Sequence, residues 1–66
     1  MRTKDLKEIV RATAFEYLKE NDDLRRGQAL FLALESLDSE IADIIRGTDA
    51  DPFYNDKNIR KFWETI

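Results

Sequence analysis

Six consecutive apolar residues, Ala29-Leu30-Phe31-Leu32-Ala33-Leu34, with Leu24 before them and Leu37 after, constrain this chain more than any other feature. At 3.6 residues per turn such a run covers most of a helix's circumference, so the segment from about Asp23 to Ser36 has to lie at the centre of the fold. Asn21 or Asp22 is placed to cap it. Gly27 sits inside it, where glycine costs about 1 kcal/mol against alanine. The compensation expected there is a close helix approach that a side chain would block.

Three further segments have helical periodicity. From about Lys4 to Glu20, with Thr3 as cap and Asp5 favouring the helix dipole in the first turn, Leu6, Ile9, Val10, Thr13, Ala14 and Tyr17 form one stripe. Leu18 lies at its edge. From Ser39 to Arg46, after an Asp38 cap, the expected inner face is Ile41, Ile44 and Ile45. Leu37 is placed to staple onto Ala42, and Gly47 is the expected left-handed stop. Asp51-Pro52 reads as a cap and first position of a single turn. From about Lys57 to Thr65, capped by Asn55 or Asp56, Ile59, Phe62, Trp63 and Ile66 share a side. Connections this short suit packed helical neighbours. The expected fold is all-α: residues 1–66 as one domain, a small bundle of three substantial helices and one short one. The expected core is Leu30, Phe31, Leu34, Ile44, Ile45 and Trp63.

A chain of 66 residues buries only about 60% of its unfolded surface. It contains no cysteine and no histidine. That removes disulfide scaffolds, thiol nucleophiles, Cys/His zinc sites and histidine bases, and leaves one apolar core or a partner to hold the fold. With no apolar run of transmembrane length and no secretory h-region, the expected compartment is the cytoplasm, off the membrane.

The net charge of −3 is unevenly spread. Residues 1–34 carry seven basic and six acidic groups, residues 35–56 seven acidic groups against Arg46 alone, and residues 57–66 three basic groups against Glu64. A wholesale phosphate-binding surface needs a basic footprint that the middle section lacks. Read as a calcium loop from Asp49, the chain offers Phe53, Tyr54 and Arg60 where the fifth, sixth and twelfth positions need an oxygen ligand, glycine and glutamate. The paired acids Asp22-Asp23 and Asp49/Asp51 have no partner for acid–base work. The expectation is therefore no metal, no cofactor and no enzymatic activity. Read as a helix-turn-helix, the third segment would present Glu40 and Asp43, which repel phosphate. Nucleic acid enters only as the alternative reading. It would be bound weakly through Arg2, Lys4, Lys7 and Arg11, or mimicked by Glu35, Asp38, Glu40, Asp43, Asp49, Asp51 and Asp56.

The aromatics point elsewhere. Tyr17, Phe31, Phe62 and Trp63 fall on apolar stripes, whereas Phe15, Phe53 and Tyr54 do not. A small domain uses both sides of a long helix, which favours burying Phe15. Left exposed, these rings would mark a protein interface. The candidate contact surface is Arg11, Phe15, Phe53 and Tyr54, flanked by Asp49 and Asp51, for a protein partner or a second copy of the chain.

The blocks Arg26-Gly-Gln-Ala-Leu-Phe-Leu-Ala-Leu, Ile41-Ala-Asp-Ile-Ile-Arg-Gly-Thr and Asp51-Pro-Phe-Tyr-Asn-Asp resemble, in this order, small helical proteins of phages, prophages and bacteria. The likeness spans most of residues 9–63. None of the three is a catalytic or binding signature, and no function is assigned to that group, so no residue roles carry over. What the resemblance implies is a compact, phage-related domain with an accessory or host-interacting role.

Overall fold

A computed structural model describes residues 3–66, with side chains from Leu6 onward. The expected Thr3 cap and the role of Asp5 lie outside the described side chains, as do the charges of Arg2 and Lys4. The chain is an all-α bundle: α1 (Thr3–Glu20), α2 (Arg26–Leu37), α3 (Ser39–Ile45), a 3-10 turn (Asp56–Asn58) and α4 (Ile59–Thr65). Two helices are long. The other two have seven residues each, so the last segment is shorter than its periodicity suggests.

α2 packs against α1, α3 and the 3-10 turn. Gly27, Ala29, Leu30, Phe31, Ala33 and Leu34 are all buried, as a helix apolar around its circumference requires. From α1 come Leu6, Val10 and Ala14, from α3 Ala42 and Ile45, and from α4 Phe62. α2 begins at Arg26 rather than Asp23, and neither Asn21 nor Asp22 caps it. The Asn21 amide instead returns to the Tyr17 carbonyl at 3.0 Å, closing α1, and the Arg25 N–H donates to Gln28 Oε1 at 3.1 Å. Asp38 caps α3 by accepting from the Ile41 N–H, and Gly47 follows at φ +77°.

Four residues expected inside are not fully buried. Ile44 is 73% exposed. On a seven-residue helix Ile41, Ala42 and Ile45 share the inner face, and Ile44 lies about 100° away from it. Ile9 is exposed for the same angular reason, and Leu37 because it is the last residue of α2, although it shares a face with Leu30 and Leu34. Trp63 is half-buried, because Phe62, fully buried beside it, takes the core position on α4. Ile44→Gln should therefore shift a urea denaturation midpoint by less than the equivalent of about 0.5 kcal/mol, the range of ordinary surface substitutions.

Residues 47–58 return from α3 across the start of α2, and internal hydrogen bonds hold them. The Thr48 hydroxyl donates to the Ile45 carbonyl at 2.6 Å and accepts from the Ala50 N–H at 3.2 Å. Asp51 accepts from the N–H groups of Gly47 at 2.8 Å and Phe53 at 2.9 Å, and the Asn58 amide donates to the Asp51 carbonyl at 3.0 Å. Asp51 thus accepts the Phe53 N–H across Pro52 as the expected cap would, though no helical turn follows, and its second oxygen ties the strap to Gly47. Asn55 caps the 3-10 turn through the Lys57 N–H. Asp56 reaches back to α2, where Oδ1 accepts the Gly27 N–H at 3.1 Å. That donor is one of the orphans of a helix's first turn, and a carboxylate suits the positive end of the helix dipole. Gly27 therefore answers to the strap and not to a neighbouring helix.

Candidate interaction surface

The six candidate surface residues divide into two patches, one structural carboxylate and Asp49, which stands apart from both patches. On the first patch, Phe15 is 62% exposed, a correction to the expectation that favoured burying it. It lies on the side of α1 opposite the core-facing Leu6, Val10 and Ala14, so no second layer of this small bundle covers it. Its ring borders an open groove with Arg11, Leu18, Arg26, Leu30 and Trp63. The Arg11 guanidinium lies 5.5 Å from the Trp63 ring centroid, and Lys19 Nζ 5.9 Å from that of Phe15. Both cations cover aromatic faces while keeping their charge in water. The floor is apolar and the rim is cationic.

The second patch is the corner of the strap. Phe53 is half-buried, edge-on to Phe31 at 6.0 Å and to Tyr54 at 4.8 Å, and Tyr54 is 78% exposed. Phe31, Leu32, Glu35, Arg46 and Asp51 complete the surrounding hollow. It shares no lining residue with the Phe15 groove, so the four residues Arg11, Phe15, Phe53 and Tyr54 do not form one continuous surface. The Arg46 guanidinium meets Glu35 at 2.5 Å and Asp43 at 3.2 Å and lies 5.2 Å from the Phe31 ring centroid. Its hydrogen bonds, first to Glu35 and then to Asp43, raise its pKa above the ordinary arginine value. Asp49 is exposed at the far end of the strap, 3.7 Å from Lys61.

Asp51 is 4% exposed, and both its oxygens are taken by backbone donors. It belongs to the fold and not to a contact surface. Four of the other six acids of the middle section are engaged as well: Asp38 and Asp56 accept helix N–H groups, while Glu35 and Asp43 meet Arg46. Carboxylates occupied in this way make a poor imitation of a phosphate backbone. Among the described residues no three acidic, histidine or cysteine side chains converge where they would hold a metal ion. Nor is any helix there long and apolar enough to cross a membrane.

Sequence periodicity missed Leu18, Leu30, Arg26 and Trp63 as the surroundings of Phe15. The available signal was the position of Trp63, about 100° from Phe62 on a helix too short to bury both. Compared with protein-family models, curated proteins and solved structures, the chain matches none.

Proposed function

We propose that this chain is a protein–protein contact module working through the α1 face around Phe15. The carrying observation is the 62% exposure of Phe15 in continuity with Leu18, Leu30 and Trp63. A single exposed apolar side chain is ordinary, whereas an exposed aromatic beside an apolar groove with an arginine rim has the composition of an interface anchor. An accessory or host-interacting role, as implied by the small phage and bacterial helical proteins the chain resembles, is in keeping with this reading.

The test is capture of partners from host lysate by the tagged chain, with and without nuclease, compared with Phe15→Ala and Tyr54→Ala. Phe15→Ala is expected to remove a nuclease-resistant partner while moving the urea midpoint by less than the equivalent of about 0.5 kcal/mol, since the ring is largely outside the core. Tyr54→Ala, on the separate strap corner, is expected to retain that partner. Unchanged capture and unchanged oligomeric state in both variants would overturn this reading. Recovery of nucleic acid, or of partners lost on nuclease treatment, would favour the nucleic-acid alternative.

A further inference from the structure

The outer face of α1 carries a pattern that selects its own occupant. Glu8, Ala12, Phe15 and Lys19 follow one another at four, three and four residues, the spacing of a helix-pairing seam. All four are exposed, and they lie opposite Leu6, Val10 and Ala14. Glu8 and Lys19 share a midpoint with Ala12 and Phe15, between Thr13 and Ala14. If a second α1 runs antiparallel about a two-fold axis at that midpoint, Glu8 lies level with Lys19 of the other copy. Ala12 then lies level with the other copy's Phe15. Symmetry supplies each pairing twice, as in an isologous interface.

We infer that the partner of this face is a second copy of the chain, held by an antiparallel α1–α1 seam. This rests on the contact-module reading, shares Phe15 with the groove, and places the occupant on the adjoining outer face of α1. The shape complements itself: a shallow hollow bounded by Glu8, Arg11, Ala12, Phe15 and Glu16 lies where the second Phe15 ring arrives, with only a methyl group beneath it. The charge does too, since Lys19, which lies near Phe15 in one copy, meets Glu8 of the other. Arg11 forms one edge of the hollow, while its guanidinium leans toward Trp63. In a parallel pair Glu8 would face Glu8 and Lys19 would face Lys19, and like charges oppose that arrangement. One helix face is a small interface, so the dimer is weak and concentration-dependent.

Sedimentation equilibrium from about 5 to about 500 µM, a range suited to an interface of this size, tests the assignment. The native chain is expected to pass from monomer to dimer mass. Glu8→Lys sets like charges against each other at both symmetry-related positions and is expected to raise the dissociation constant about tenfold or more. Adding Lys19→Glu recreates both pairs with their signs exchanged and is expected to restore it to within about threefold. Circular dichroism of each variant checks that α1 stays helical. A monomer mass throughout would overturn the second copy as occupant. The capture experiment with Phe15→Ala would then decide the contact-module reading by itself. Association unaffected by Glu8→Lys, or not restored by the exchange, would overturn the antiparallel register.

Discussion

Gly27→Ala is expected to unfold most of the chain at 25 °C or to detach the strap from α2, although alanine is the best helix former. On propensity alone the change would stabilise α2 by about 1 kcal/mol. The surroundings reverse the sign. A Cβ at position 27 would overlap the Pro52 carbonyl oxygen, with Asp56 Oδ1 at 2.6 Å and the Pro52 carbonyl carbon at 3.1 Å. The Asp56 carboxylate can rotate aside, at the cost of its bond to the Gly27 N–H. The Pro52 carbonyl belongs to backbone that cannot easily follow. Pro52 is fully buried, Asp51 before it holds two backbone donors, and the Arg25 guanidinium grips the Phe53 carbonyl at 2.6 Å. Relief therefore means moving the strap as a unit and exposing what it covers. We expect a loss above about 3 kcal/mol, against the roughly 3–5 kcal/mol that a single core of this size supplies. Urea denaturation followed by far-UV circular dichroism and Trp63 fluorescence measures it. An alanine variant as stable as the native chain would show that the strap does not rest on α2.

How much of this was legible in the sequence depends on whether the cause is local. The all-α class, the central position of α2, the Asp38 cap and the left-handed Gly47 follow from periodicity and from caps that act within four residues. Ile44 and Trp63 misled because apolar character marks a residue as fit for burial, while the short helices α3 and α4 each bury one narrow face. Gly27 was recognisable as a glycine needing a reason, but the reason stands 25 residues away at Pro52, beyond any local rule. Asp51 and Asp56 were expected as caps, and both do accept backbone N–H groups. Which ones depends on how the strap folds back over α2. Of the aromatic residues outside the stripes, Phe15 and Tyr54 are exposed, while Phe53 is half-buried against the core. Their division between the Phe15 groove and the Phe53–Tyr54 corner required the tertiary arrangement.

The second large effect is expected at Asp51. Asp51→Ala should lower stability by about 3 kcal/mol, because hydrogen bonds to a charged acceptor contribute about 1.5–3 kcal/mol each and two part-buried donors lose theirs together. Volume is not the cause, and Asp51→Asn shows why. The amide has nearly the same shape but only one accepting oxygen, so it serves the Gly47 N–H or the Phe53 N–H while its NH₂ faces the other donor. Asparagine is expected to recover less than half of the loss, measured as the urea midpoint at constant slope. Full recovery would mean that side-chain size, and not the pair of acceptors, sets this turn. The double variant Gly27→Ala/Asp51→Ala carries the sharper information. Both substitutions release the same strap, so once one has freed it the other has little left to remove. Their combined cost should fall short of the sum of the single costs by more than about 1 kcal/mol, the coupling expected of residues acting through one shared segment. If the native chain is too marginal for the double variant to be read directly, a stabilising osmolyte brings all four proteins into range without altering the contacts compared. Additive costs would instead show that α2 and the 47–58 strap unfold independently.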